Sequence, residues 1–137
     1  MTASGLSVLV VEDEPLIRLA LASALEDEGY IVHEAGTVLQ AVAALSKFPI
    51  DAVVTDVDMP GGLSGLDLGN MVAGLPTEKA LIVTSGRLIE TDEAFPQGAV
   101  FIPKPYELRS IVDLLERELF RLRLAITPAS LRTASKM

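Results

Sequence analysis

The sequence has 137 residues, half of them apolar, and a chain of this size and composition is expected to fold as one domain with a buried core. Cysteine is absent, which excludes disulfide bonds, thiolate metal sites and a cysteine nucleophile. The net charge of -8 argues against nonspecific binding of nucleic acid. No apolar run is long enough to span a membrane, and no basic segment precedes the first one, so a cytoplasmic location is expected.

Charge is distributed unevenly along the chain. Residues 1–118 contain 7 basic and 19 acidic residues, a net charge of -12, whereas residues 119–137 contain 4 basic residues and no acidic one. Such a basic end can contact anionic partners, but it is more often a solvated tail. We therefore expect a folded domain over residues 1–124 and a disordered tail over residues 125–137.

Five short apolar runs predict β-strands, and they cover residues 6–11, 30–34, 50–56, 80–84 and 100–102. Between and after them, apolar residues at helical spacing predict helices over residues 16–28, 38–45, 66–73 and 107–124. Residues 86–98 are the weakest helical candidate because Pro96 interrupts a poor apolar stripe, and one or two irregular turns are expected there. A glycine-rich loop is expected over residues 61–65.

Strands that alternate with helices indicate an α/β fold with parallel strands and right-handed crossovers. We expect a flavodoxin-like, doubly wound, five-stranded parallel sheet with strand order 2-1-3-4-5 and helices on both faces. In that order the topological switch point lies between the first and third strands. Ligands of open α/β sheets bind at the carboxyl ends of the strands beside this point.

Three carboxylates are expected to meet at the switch point. Glu12 and Asp13 directly follow the first strand, and Asp56 ends the third. Carboxylates that share a pocket repel each other, and a divalent cation relieves this repulsion. A ligand set of oxygen atoms without His or Cys favours Mg²⁺, or Mn²⁺, over zinc. Because such an ion keeps several waters and binds phosphate, the site is suited to a phosphoryl group.

Residues at the ends of neighbouring strands complete this chemistry. Asp56 can act as the nucleophile and form an acyl phosphate. The cation, the Lys104 ammonium and the Thr84 hydroxyl can each take one of the three phosphoryl oxygens. Ser85 is small enough to leave room for the group, and a cis peptide bond between Lys104 and Pro105 would help to aim the ammonium inward.

Four motifs at these strand ends resemble the receiver domain of two-component response regulators. They are Val11-Glu12-Asp13-Glu14, Asp56-Val57-Asp58-Met59-Pro60, Val83-Thr84-Ser85-Gly86 and Lys104-Pro105. Each motif alone is weak, but four of them in this order, over roughly residues 6–124, are highly specific. The resemblance implies that Asp56 is the phospho-acceptor and that Glu12 and Asp13 are metal ligands, with the Asp58 main-chain carbonyl completing the metal shell.

The same resemblance assigns further roles along the chain. It makes Thr84 the switch hydroxyl, Phe101 the switch aromatic residue and Lys104 the phosphate-binding lysine. The donor in this family is a phosphohistidine on a sensor histidine kinase or a phosphotransfer protein, and the receiver itself catalyses the transfer without being a turnover enzyme.

The resemblance also gives expectations about partners and domain organisation. Only the tail follows the receiver, so we expect a single-domain regulator without a DNA-binding domain. It would signal through changed contacts with another protein, or relay phosphate onward. We expect a monomer or a weak homodimer, with no nucleic-acid or membrane partner.

The sequence departs from the family pattern in three places. The first acidic position is Glu12 where Asp is commoner, the loop over residues 61–65 is about one residue longer than in the plainest receivers, and the fourth helical stretch is short. Asp58 and Gly86 lie two residues after Asp56 and Thr84, where side chains can orient or block a hydrolytic water.

Two other functions fit parts of the sequence. Asp56 and Asp58 also resemble the nucleophile and acid/base pair of haloacid-dehalogenase-type phosphatases, although that motif usually lies on the first strand. Alternatively, a receiver fold can serve as a phosphorylation-independent interaction module. Taken singly, residues 12–14 could be an acidic helix start, Asp56 a helix cap and Lys104 a surface lysine. Their joint placement at the strand ends favours the phosphoryl site.

Overall fold

A computed structural model describes residues 5–59, 63–86 and 95–126. Residues 61 and 62 of the expected loop lie outside this part of the chain. So do residues 87–94, which make up most of the expected irregular helical stretch, and nearly all of the expected tail.

Nine elements are present in the described residues. The strands are β1 (Ser7–Val11), β2 (Ile31–Ala35), β3 (Ala52–Asp56), β4 (Ala80–Ser85) and β5 (Val100–Pro103). The helices are α1 (Pro15–Asp27), α2 (Val38–Lys47), α3 (Gly65–Ala73) and α4 (Leu108–Ile126). All strand pairs are parallel, and the sheet order is β2-β1-β3-β4-β5, which confirms the expected fold. No helix within these ranges is both long and apolar enough to cross a bilayer.

The central strands are buried on both faces because helices cover each side of the sheet. β1, β3 and β4 are buried throughout and mostly apolar, with polar residues at the start of β1 and at the carboxyl ends of β3 and β4. Val8 and Val10 of β1 pack with Leu25 of α1 and Ile111 of α4 in one core. The alternate residues of the same strand face a second core, to which α2 and α3 contribute.

The sheet register fixes which residues meet at the carboxyl edge. Asp56 of β3 pairs with Thr84 of β4, and Thr84 in turn pairs with Ile102 of β5. Beyond the paired residues, the Lys104 N–H donates to the Ser85 carbonyl over 2.8 Å, so the backbone of Lys104 continues the edge of the sheet. The strand ends that carry the predicted site residues therefore lie side by side.

Two element boundaries differ from the predictions for identifiable reasons. The Tyr30 N–H donates to the Leu25 carbonyl near the end of α1 and does not pair within the sheet. β2 therefore begins at Ile31 and not at the expected Tyr30. The expected loop over residues 61–65 is wrong at Gly65, which is the first residue of α3. Ser64 starts that helix with a capping box, in which its hydroxyl accepts from the Asp67 N–H and the Asp67 carboxylate accepts from the Ser64 N–H.

Candidate functional site

Three carboxylates converge at the carboxyl edge of the sheet. Glu12 directly follows β1 and Asp56 ends β3, and both residues are buried, with 3% and 5% of their surface exposed. Asp13 is exposed at the rim. One carboxylate oxygen from each of the three residues lies within 4.8 Å of the other two. This spacing is compatible with a single cation bound by all three.

Lys104 contacts two of these carboxylates. Its Nζ lies 3.0 Å from Asp56 Oδ2 and 3.1 Å from Glu12 Oε1, and the side chain is 23% exposed. The Lys104–Pro105 peptide bond is cis, in agreement with the expectation for this bond. Lys104 thus bridges the two buried carboxylates in the acidic crevice, the site formed by Glu12, Asp13, Asp56 and Lys104.

The charge of the site favours a divalent cation. Three carboxylates and one ammonium leave a formal charge of -2. Burial raises the pKa of Glu12, and the neighbouring charge of Asp56 raises it further, against the opposing hydrogen bonds from the Glu14 N–H and Lys104. Burial alone would lower the pKa of Lys104, but its hydrogen bonds to Asp56 and Glu12 raise it overall. The lysine thus stays charged and neutralises only part of the site.

Replacing Glu12 with Gln is expected to raise the stability of the metal-free protein at neutral pH. A carboxyl whose pKa is raised by folding stabilises the fold below its unfolded pKa, and this contribution is lost as the pH rises through the folded pKa. Gln keeps the shape but never ionises, so the gain should be present at pH 7 and vanish toward pH 4. Urea unfolding at both pH values, with a chelator present, measures it.

Glu14→Gln is the matched control for this experiment. Glu14 is exposed, two residues from Glu12, and loses the same charge. Its free energy of unfolding should stay close to that of the wild type at both pH values. An equal gain in both variants would indicate a general effect of net charge, and a loss of stability in Glu12→Gln would contradict the prediction.

Asp58 and Ser85 form a second polar pair beside the acceptor. The Asp58 N–H donates to Asp56 Oδ1 over 3.3 Å, and the Asp58 carboxylate accepts from the Ser85 hydroxyl over 3.3 Å. Ser85 is fully buried at the end of β4, whereas Asp58 is exposed. The Asp58 side chain is therefore turned toward β4. Metal ligation by its main-chain carbonyl stays a prediction.

The two residues expected to act as a switch lie on adjacent strands. Thr84 is 2% exposed and pairs directly with Asp56 in the β-ladder. Phe101 is half-buried and packs against the apolar core that α2 and α3 cover. Thr84 thus lies on the strand next to the acceptor Asp56, and Phe101 lies on the strand beyond Thr84. Their switch roles stay predictions.

Gly65 is a site residue that the sequence analysis missed. A Cβ atom at this position would lie 1.9 Å from the main-chain oxygen of Asp56 and 2.8 Å from the Cα of Val57. The Gly65 N–H also donates to the Val57 carbonyl over 2.9 Å. The first residue of α3 is therefore in close contact with the backbone of Asp56. The available signal was a glycine right after the capping residue Ser64, and the neighbouring glycines made it resemble loop sequence.

Comparison with known proteins agrees with this geometry. The family model for the response regulator receiver domain matches residues 8–116. The transcriptional regulatory protein PdtaR of Mycobacterium tuberculosis is 33% identical over 119 residues, which cover 85% of this chain and 58% of that protein. A putative NtrX-like response regulator of Rickettsia felis is 35% identical over 118 residues, covering 83% of this chain and 25% of that protein. The chain thus spans only part of the length of these relatives.

Solved structures show the same fold. The receiver domain of the hybrid histidine kinase CckA superposes with a TM-score of 0.67 at 30% identity, covering 82% of this chain and 98% of that one. A response regulator receiver protein from Sinorhizobium medicae reaches a TM-score of 0.77 at 22% identity, covering 83% and 94% of the two chains. Since the family model spans most of the sequence and the described fold agrees with it, the chain belongs to the response regulator receiver domain family.

Proposed function

We propose that this chain is a phospho-acceptor that receives a phosphoryl group on Asp56 in a Mg²⁺-dependent reaction. The observation that carries the proposal is the contact of Lys104 with the buried Asp56 carboxylate, beside two further carboxylates at the switch point of the sheet. A nucleophile, a cation for the phosphoryl oxygens and a candidate metal site are together in one crevice. Membership of the receiver family favours this function over a haloacid-dehalogenase-type phosphatase.

Mg²⁺ fits the donor set in both charge and chemistry. Glu12, Asp13 and Asp56 would hold it, with the Asp58 main-chain carbonyl as a further ligand, and Mn²⁺ is an acceptable substitute. When bound, the ion supplies charge neutralisation for the phosphoryl oxygens and for the crowded carboxylates. The formal charge of -2 in its absence matches the charge of the ion.

The transfer itself is a displacement at phosphorus. An oxygen of Asp56 forms a bond to phosphorus while the P–N bond to the donor histidine breaks, and the electron pair of that bond stays on the imidazole nitrogen. The product is an aspartyl phosphate. Lys104, already 3.0 Å from Asp56, can then pair with a phosphoryl oxygen, and the Thr84 hydroxyl on the adjacent strand can donate to another.

The donor and the output follow from the proposed chemistry. We infer a phosphohistidine on a sensor histidine kinase or a phosphotransfer protein as donor. A change at Thr84 and Phe101 on phosphorylation would alter contacts with a downstream protein, and the chain would be a monomer or a weak homodimer. The aspartyl phosphate would form on Asp56 and then be hydrolysed on the same protein, which regenerates the aspartate. The chain would therefore not act as a turnover enzyme.

Intact mass after incubation with Mg²⁺ and phosphoramidate tests the proposal. The wild type should gain one phosphate, and the adduct should disappear in Asp56→Asn and in the presence of a chelator. Asp27→Asn is the matched control, because Asp27 is an exposed residue at the end of α1 and lies outside the acidic crevice. It should be phosphorylated like the wild type.

Other outcomes would support the competing functions. A wild type that neither gains phosphate nor binds beryllofluoride would overturn the proposal and favour an interaction module, as would partner binding that Asp56→Asn leaves unchanged. Sustained hydrolysis of phosphate esters, lost in Asp58→Asn, would instead support a phosphatase in which Asp58 is the acid/base residue.

A further inference from the structure

Arg18 connects α1 to the ends of two strands. Its Nη1 donates to the main-chain oxygen of Glu12 over 2.9 Å, and its Nε donates to Glu34 Oε1 near the end of β2 over 3.2 Å. The side chain of Arg18 is 23% exposed, so it is largely covered although it carries a charge. The guanidinium thus lies between Glu12, at the acidic crevice, and the carboxyl end of β2.

These contacts fix the peptide that leads into the metal site. The Glu12 N–H donates to the Ala35 carbonyl over 3.0 Å, and the Glu12 carbonyl accepts from Arg18. That carbonyl belongs to the peptide group between Glu12 and Asp13, so its orientation sets the direction in which both carboxylates leave the backbone. Residues that orient metal ligands in this way commonly affect metal affinity without contacting the metal.

The Arg18 guanidinium lies close to Gly36 and pairs with Glu34. A Cβ atom on Gly36 would lie 3.1 Å from Nη1, which is closer than ordinary side-chain packing. The Glu34 carboxylate holds the Nε side of the group. Glu34 belongs to β2 and Gly36 directly follows that strand. Arg18 therefore contacts the carboxyl end of β2 while it donates to the Glu12 carbonyl.

We propose that Arg18 is a positioning residue for the metal site, which orients the Glu12–Asp13 peptide for Mg²⁺ binding. This inference rests on the metal site of the proposed function. It assigns Arg18 no contact with the ion or with the phosphoryl group. The effect of Arg18 on phosphorylation should therefore act through Mg²⁺ affinity alone.

Charge and positioning predict opposite effects of removing this arginine. A cation near the acidic crevice repels Mg²⁺, so the loss of its charge alone should tighten Mg²⁺ binding. The loss of a hydrogen bond that orients two ligands should weaken it. The direction of the change in dissociation constant thus separates the two roles.

Calorimetric titration of Mg²⁺ into the wild type, Arg18→Met and Arg18→Lys tests the proposal. Arg18→Met should raise the dissociation constant about tenfold, and Arg18→Lys, which keeps one donor, should raise it less. Glu34→Gln removes the charge of this partner but keeps an oxygen that can accept from Nε, and it should have the smallest effect. Arg109→Met controls for net charge, because Arg109 is an exposed residue of α4 whose partners are Glu28, directly after α1, and acidic residues of α4.

Phosphorylation by phosphoramidate gives an independent readout. The rate for Arg18→Met should be low at limiting Mg²⁺ and recover to that of the wild type at saturating Mg²⁺. An Mg²⁺ affinity that is unchanged or tighter in both Arg18 variants would overturn the proposal, and if Arg18→Met does not fold, Arg18→Lys decides. A wild type that binds no Mg²⁺ would overturn the metal site as well, whereas failure of the Arg18 variants alone leaves the proposed function intact.

Discussion

Replacing Lys104 with Met should slow phosphorylation of Asp56 by about a hundredfold or more, because the variant loses a fixed cation where phosphoryl charge develops. It should also destabilise the metal-free protein by about 2 kcal/mol, since two buried carboxylates lose their common partner, although the partial exposure of the lysine moderates the cost. Saturating Mg²⁺ should restore much of the stability but not the rate. Urea unfolding and phosphoramidate kinetics, each with and without Mg²⁺, measure these effects.

Two further variants make the Lys104 result specific. Lys104→Arg keeps the charge and should recover stability more fully than rate, because the planar guanidinium does not reproduce the position of the ammonium. Lys79→Met removes a lysine that donates to the Ile50 carbonyl before β3, away from the acidic crevice, and should leave the rate unchanged. Wild-type kinetics in Lys104→Met would contradict a role of this lysine in the transfer.

The sheet and the acidic crevice could be predicted because both depend on local sequence signals. Short apolar runs that end in polar residues identify the strands, and helices between them make the strands parallel. Once the strand order is set, residues that follow β1 and end β3 must meet at one edge of the sheet. Glu12 and Asp56 therefore follow from pattern and topology alone, and their contact with Lys104 needs only the additional placement of β5.

Contacts that depend on the distance between packed elements could not be predicted in this way. The hydrogen bond from Arg18 to Glu12 requires α1 to pack at one particular position relative to the end of β1. No sequence pattern encodes that position. The Asp58–Ser85 pair likewise depends on how the chain turns after β3. Position 65 is the clearest case. It requires glycine because the backbone of Asp56 and Val57 lies so close to it, and not because of its own backbone conformation.

Gly65→Ala should destabilise the protein by about 3 kcal/mol or more, at the upper end of overpacking effects. The added methyl group would lie 1.9 Å from the Asp56 carbonyl oxygen and 2.8 Å from the Val57 Cα. These are backbone atoms, which cannot turn away as a flexible side chain does. α3 or the end of β3 must move, and Asp56 moves with it, so phosphorylation should fall together with stability. Urea unfolding and the phosphoramidate assay at low temperature measure both.

Gly74→Ala is the matched control, since it makes the same substitution at the opposite end of the same helix. A methyl group on Gly74 would lie 3.6 Å from the Asn70 and Met71 carbonyl oxygens, which is ordinary packing, and its backbone conformation suits alanine. This variant should differ from the wild type by about 1 kcal/mol or less and be phosphorylated normally. Equal effects of the two substitutions would show that α3 tolerates alanine poorly everywhere. A stable, fully phosphorylated Gly65→Ala would show that α3 can withdraw from β3 without disturbing Asp56, and that the close approach of Gly65 is dispensable for the site.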